Sequence, residues 1–257
     1  MELGLVGGAF AAALGAVIGS FLNVVIHRVP RGESLVRPPS HCPRCGEPIR
    51  AQDNIPVLSY LFLAGRCRGC KVRISLRYPL VEALTAALSL GLWLQFGASG
   101  LFGVYLTVVV GLVAVTFIDI DHRIIPDSLS LGGVIAGLAS SFVTGLGLAG
   151  SAIGAALGGG VLVAVALGYR AVTGREGMGL GDAKLLAAIG AFLGWKAVLF
   201  TIFVSSVVGS LAGLALVALR GSGMRLEVPF GPFLALGATA YIFAGPWLIE
   251  WYFGMMR

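Results

Sequence analysis

Two aspartates, Asp119 and Asp182, stand at the ends of apolar runs in a chain that has five Asp in all. Asp119 directly follows one uncharged run, and Asp182 closes Gly179-Leu180-Gly181-Asp182 ahead of another. A carboxylate beside hydrocarbon costs on the order of 3 kcal/mol to keep charged, so it needs a reason to be there. Two carboxyls brought close do not both ionise readily and share a proton. The ionised member can take a proton from water as the water attacks a peptide carbonyl. The protonated member can donate to the carbonyl oxygen and later to the leaving amine. This is the chemistry of an aspartic peptidase. Spacing alone also allows an acid pair that only holds helices together, and Gly-x-Gly-Asp by itself is a weak motif.

The neighbouring acids are less suited. If residues 119–121 are helical, Asp119 and Asp121 point about 200° apart, so only one of them faces a given partner. Asp119 is the deeper of the two. Asp121 solvates the loop, and Asp127 is expected to be the N-cap of a helix starting at Ser128. Glycines 177, 179 and 181 let the backbone before Asp182 bend and approach other helices closely.

A second constellation is metal-binding. Cys42-Pro-Arg-Cys45 and Cys67-Arg-Gly-Cys70 are two Cys-x-x-Cys knuckles in one polar segment, and they hold every cysteine of the chain. Thiolates at this spacing can converge from two tight turns on one tetrahedral Zn²⁺, with Gly46 and Gly69 supplying backbone freedom at the turns. Four closed ligands leave no open position, so the zinc is expected to be structural. Disulfides or unpaired thiols are the alternatives, and the reducing side of the membrane argues against disulfides. His41 could replace one cysteine, but a polar loop histidine is the better account of it. His27, beside Arg28, reads as an interfacial anchor.

The elements that must position these groups are membrane helices. The chain is 57% hydrophobic and 12% charged, with a mean hydropathy of +0.93. Uncharged runs cover Leu3–Ile26, Ala83–Ile118, Ser128–Tyr169, Ala197–Leu219 and Val228–Ile249. A crossing takes roughly 20 apolar residues, so the two longest runs, the second and third, each hold two passes. Gly97-Ala98-Ser99-Gly100 and Gly145-Leu146-Gly147 mark their hairpins. An eighth segment, Ala183–Trp195, has as its uncharged part only Leu185–Trp195, which is bracketed by Lys184 and Lys196 and covers roughly 17 Å. It is read either as a short or re-entrant helix packed among the others, or as a short span that lets water reach Asp182; the two are compatible. The fold class is all-α, polytopic, with about eight transmembrane helices and a small zinc-stapled domain inserted after the first. The expected organisation is a first helix at 1–27, a zinc domain at 28–78 and a helical core at 79–257. Glycine pairs such as Gly15-x-x-x-Gly19 and Gly209-x-x-x-Gly213 predict close helix approach.

With eight spans, the termini share one face, and 16 of the 18 basic residues fall on the other, all but Lys196 and Arg257. The positive-inside rule makes that rich face cytoplasmic and puts both termini outside, with Asp119 and Asp182 at the cytoplasmic side. The net charge of +6 is therefore topogenic: it suits anionic membrane lipid and gives no ground for nucleic-acid binding. Met-Glu-Leu at the start carries no basic n-region, so an uncleaved first span is expected. The 28–78 segment is too small to fold without a staple, which the metal supplies.

Taken together these stretches resemble the bacterial type IV prepilin peptidases (prepilin leader peptidase/N-methyltransferases) over essentially the full length. The resemblance rests on Gly19-Ser-Phe-Leu-Asn-Val24 with Arg28 and Pro30, the knuckles at cysteines 42, 45, 67 and 70, and Asn54-Ile-Pro56. It continues through Ile74-Ser-Leu-Arg-Tyr-Pro79 with Glu82, Asp119-Ile-Asp-His, Pro126-Asp127, Gly177-Met-Gly-Leu-Gly-Asp-Ala-Lys184 and Pro229-Phe-Gly-Pro232. It implies an intramembrane aspartic endopeptidase that removes a basic leader from prepilins and pseudopilins at the inner membrane, with Asp119 and Asp182 as the catalytic pair. It also implies N-methylation of the new N-terminus with S-adenosylmethionine, whose binding region is suspected within 19–82. Two other classes compete: an ion-coupled secondary transporter, which wants midplane acids and an inverted repeat, and a non-catalytic assembly scaffold docking through the zinc domain, for which the aspartates would be dispensable.

Overall fold

A computed structural model describes residues 2–175, 179–220 and 228–255. Gly177 and Met178 of the bend before Asp182, and Arg225 and Arg257 of the charge count, lie outside the described residues. The elements are α1 (Glu2–Arg28), α2 (Leu58–Phe62), α3 (Arg77–Phe96), α4 (Gly100–His122), α5 (Asp127–Thr144), α6 (Gly147–Thr173), α7 (Leu180–Arg220) and α8 (Gly231–Met255), with short 3₁₀ turns at Val29–Arg31 and Ala51–Asn54. No strand forms among the described residues. Among the described residues seven helices, α1 and α3 to α8, are long and apolar enough to cross a membrane. The chain is a multi-pass membrane protein.

The expected hairpins lie where the glycines are. Gly97 ends α3 at φ +58°, and Gly145 and Gly147 separate α5 from α6 at φ +75° and +65°. These backbone angles are open to glycine at little cost. The one long helix, α7, would extend about 60 Å if straight, twice a bilayer core. It is not straight. Gly194 adopts φ +80° and ψ 175°, which is non-helical, and divides α7 into arms at 180–193 and 195–220. The chain folds back there: a methyl group on Gly190 would come within 2.9 Å of Val198 Cγ2, eight residues on. The eighth segment is thus the first arm of α7. It is short and packed in, with Leu186, Ile189 and Ala191 fully buried.

Two compact units divide at Ala114 and Val115, within α4. In the first, α1 lies against α3. Gly15 and Gly19 make the close approach: a Cβ on Gly15 would sit 2.9 Å from Ala86 Cα, and one on Gly19 would sit 2.7 Å from Glu82 Cα. Ser89 Oγ donates to the Ala11 carbonyl at 2.7 Å across the same seam, and Asn23 Nδ2 donates to the Tyr78 carbonyl at 3.2 Å. Arg28 is buried at the end of α1 and folds the following chain back, donating to the carbonyls of Ser34 at 2.8 Å and Pro38 at 2.7 Å.

In the second unit the first arm of α7 runs against α5 and α6, whose glycines admit its backbone. Gly137 faces Ala191 at a would-be Cβ separation of 2.6 Å, while Gly154 and Gly158 leave no room for a side chain against the carbonyls of Gly190 and Leu186. Small residues four apart let helices touch where lipid supplies no hydrophobic drive. The Gly209–Gly213 pair does not serve that purpose. Gly209 takes the ring of Phe233 from α8, and a Cβ on Gly213 would meet nothing within 4 Å among the described residues.

Candidate active site and metal centre

Asp119 sits in the last turn of α4, 5% exposed, and Asp182 in the first turn of α7, half-buried. The two carboxyls lie within electrostatic reach of one another. Asp119 has a fixed partner. Its Oδ2 accepts the backbone N–H of Gly231, the first residue of α8, at 2.9 Å. A helix N-terminus offers unpaired N–H groups and a positive dipole end, which suits a carboxylate. A side chain at 231 would not fit there: its Cβ would stand 2.7 Å from Asp119 Oδ2. Leucines 185 and 186, both buried, continue α7 inward from Asp182.

The turn between α4 and α5 carries the two aspartate-bearing segments toward each other. Ile125 packs on Gly181, where an added Cβ would meet its side chain at 3.1 Å. Asp127 does not cap α5. Pro126 holds the N-cap position, Asp127 is the first helical residue, and its Oδ1 accepts from Lys184 Nζ at 2.7 Å. A long lysine stem two residues past Asp182 reaches this carboxylate, and the ion pair takes precedence over a local cap. Asp121 is exposed. Sequence reasoning gave Lys184 only the bracketing of the eighth segment and Gly231 no role of its own; the Pro-Phe-Gly-Pro and Asp-Ala-Lys strings mark them, but their partners lie 112 and 57 residues away.

The four cysteines converge in the first unit. Their sulfurs all lie within 4.8 Å of one another, with Cys42 to Cys70 at 3.8 Å and Cys45 to Cys67 at 4.0 Å. Four thiolates at about 2.3 Å from a tetrahedral zinc stand roughly 3.8 Å apart. The cluster fits that ion and is far too open for disulfides, whose sulfurs bond at about 2.05 Å. His41 is outside it, with Nδ1 at 3.1 Å from the Pro39 carbonyl. Backbone N–H groups of Cys45 and Arg44 pull the Cys42 thiol down to about 6. Against the pull of the Glu47 amide, the Cys42 thiol, burial and then Cys70 and Cys67 hold Cys45 up at about 11.

The knuckles are two copies of one turn. In the first, Cys42 N–H donates to the Glu47 carbonyl at 2.9 Å and Ile49 N–H to Ser40 at 2.9 Å; in the second, Cys67 donates to Val72 at 2.9 Å and Ile74 to Gly65 at 2.8 Å. Single bridges pair His41 with Pro48 and Arg66 with Arg73 in the same offset. The left-handed position is Gly46 at φ +70° in the first copy and Lys71 at φ +57° in the second. Gly69 therefore does not supply the turn's conformational freedom. It supplies space, because a Cβ there would collide with the Glu47 carboxylate. Arg68 beside it forms a 2.6 Å ion pair with Asp53, which holds that carboxyl below its usual range.

Beside the knuckles the first unit encloses a cavity of about 430 Å³, lined among others by Asn54, Tyr60, Tyr78, Pro79 and Glu82. Glu82 is 8% exposed, and its Oε2 accepts the Val57 N–H at 2.7 Å.

Comparison with known proteins bears on both units. Residues 13–96 match the model of the bacterial peptidase A24 N-terminal domain, and residues 106–214 match that of the type IV leader peptidase family. The prepilin leader peptidase/N-methyltransferase of Aeromonas salmonicida is 42% identical, over 92% of this chain and 90% of that protein. Proteins of the same name from Pseudomonas aeruginosa (40% identical, 93% of this chain, 91% of that protein) and Burkholderia pseudomallei (40%, 92% and 85%) are similar in the same way. No solved structure matches. Matched by both domain models and collinear with these relatives over about nine-tenths of its length, the chain belongs to the type IV leader peptidase family.

Proposed function

We propose that this protein is an intramembrane aspartic endopeptidase that removes the basic leader from prepilins and pseudopilins and N-methylates the residue so exposed. One observation carries the peptidase half: two helix ends bring Asp119 and Asp182 within reach of each other, with Asp119 anchored on the Gly231 amide. One carboxyl takes the proton of the attacking water, and the other gives its proton to the scissile carbonyl oxygen. The tetrahedral intermediate collapses as a proton passes to the leaving amine, and the pair is reset. The Gly231 bond keeps Asp119 from rotating away between these steps. Both acids stand at helix ends, whereas a coupled transporter would carry them at the midplane.

We read the chain as a first helix at 1–27, a zinc domain at 28–78 and a peptidase core at 79–257. The zinc domain and the acid pair face the cytoplasm, and the termini face outward across the bacterial inner membrane. The 16 basic residues on one side support that sidedness. Zinc, held by Cys42, Cys45, Cys67 and Cys70, substitutes for a core that so short a segment cannot build. The cavity beside it is of ligand size, within the range of about 300–1,000 Å³. S-adenosylmethionine, if held there, would supply an electrophilic methyl group. Tyr60 and Tyr78 would offer aromatic faces to its purine, and Asn54 would offer an acceptor to its polar groups. The test is incubation of the purified protein with a pilin-like precursor and the methyl donor, read by intact mass. Loss of the leader and a gain of one methyl group are expected. An unchanged precursor contradicts the reading.

A further inference from the structure

Glu82 is a buried carboxylate whose observed partners are neutral. It lies in the second turn of α3, where the Val57 amide donates to Oε2 at 2.7 Å and the Ser20 hydroxyl of α1 also hydrogen-bonds the carboxyl. A buried anion normally comes with a cation. Arg68, which also lines the cavity, is taken by Asp53. Among the described residues Glu82 forms no ion pair, although Arg44, Arg50 and Arg73 line the same cavity beside Glu47.

The segment that holds Glu82 is itself strained. Val57 has φ +61° and ψ −49°, and Leu58 N–H closes on the Pro56 carbonyl at 2.6 Å, a tight three-residue turn around a β-branched residue. Such backbone is rare and persists where surrounding contacts over-determine it, which is often at a functional site. Here the Glu82–Val57 bond is one of those contacts. A cavity of about 430 Å³ thus has an uncompensated anion in its wall, held by a strained turn.

We infer that Glu82 receives the free N-terminal amine of the cleaved peptide and removes its proton. This rests on the methyltransferase reading above. An α-amine with a pKa of about 7.7–8.0 is mostly ammonium at neutral pH and has no lone pair to give. The ammonium docks on the Glu82 carboxylate, and a proton passes from nitrogen to a carboxylate oxygen. The freed lone pair forms the N–C bond to the methyl of a sulfonium donor. The C–S electrons remain on sulfur, leaving a neutral thioether, and Glu82 returns its proton to water.

The test uses a synthetic mature-form peptide with a free N-terminus and its N-acetyl twin, on full-length protein. Binding without donor is followed by fluorescence anisotropy, and methyl transfer is followed by mass spectrometry between pH 6 and 9.5. Wild type should bind the free-amine peptide about tenfold tighter than the acetylated one. Glu82→Gln should erase that preference and lower methylation about a hundredfold at pH 7. The deficit should close as pH rises past the amine's own pKa, because the nucleophile then arrives neutral. Zinc content and helix content check the fold of the variant. Equal binding of the two peptides by wild type overturns the inference, whatever the variant does. A methylation deficit that is the same at every pH also overturns it, since that is the mark of a merely structural glutamate. So does an unaltered Glu82→Gln. If wild type transfers no methyl group, the methyltransferase reading itself fails; if it does while Glu82→Gln matches it, only the inference fails.

Discussion

Gly231 and Asp119 are 112 residues apart in sequence and joined by a 2.9 Å hydrogen bond from the first amide of α8 to a carboxylate oxygen at the end of α4. The absence of a side chain at 231 is what permits this contact, since a Cβ would stand 2.7 Å from Oδ2. Gly231→Ala should therefore displace Asp119 while leaving the zinc domain intact. Leader cleavage is expected to fall roughly tenfold to a hundredfold, the usual cost of shifting a reacting group by about an ångström. Zinc content should not change. Full cleavage by Gly231→Ala would mean that the bond does not position the acid.

Lys71 occupies the left-handed position that Gly46 holds in the other knuckle, at φ +57° against +70°. A side chain in that conformation costs roughly 1–2 kcal/mol, which glycine avoids. Lys71→Gly should slow zinc loss to a chelator, and Gly46→Ala should hasten it. Measured release rates for the two variants should move in opposite directions.

Zinc is expected at one ion per chain, bound through thiolates 3.8–4.0 Å apart across the cluster. Its removal should loosen residues 28–78 before the helices, because the metal stands in for a core. Hydrogen exchange on chelated protein should show protection lost in that segment first. Protein purified without chelator and found free of zinc by elemental analysis would contradict this.

Gly194 turns α7 back on itself at φ +80° and ψ 175°, a region closed to side chains, with Leu146 against it. Gly194→Ala should destabilise the protein by about 1–3 kcal/mol, visible as a lower thermal midpoint in detergent. An unchanged midpoint would show that the turn is not needed.

The spans were legible because hydrocarbon imposes a length, and the hairpins because glycine takes a positive φ at little cost. The knuckles were legible from cysteine spacing. Contacts between distant residues were not. Nothing local tells that Asp127 reaches Lys184 rather than capping α5, or that Gly231 takes Asp119 as its acceptor. The role of Gly69 was misread for a related reason: glycine before a turn suggests φ, but here it makes room for Glu47. Gly209 and Gly213 have the spacing for close packing, and only the neighbour, an aromatic ring, decides otherwise. The choice of Asp119 over Asp121 came from depth, since Asp119 follows directly on an uncharged run.

The pairing of Asp119 with Asp182 is tested most directly by cleavage of a pilin-like precursor by purified Asp119→Asn and Asp182→Asn, each checked for zinc and helix content. Both variants should leave the leader attached, since either loss removes the shared proton, while Asp121→Asn and Asp127→Asn should lose far less. Robust cleavage by Asp182→Asn would contradict the account.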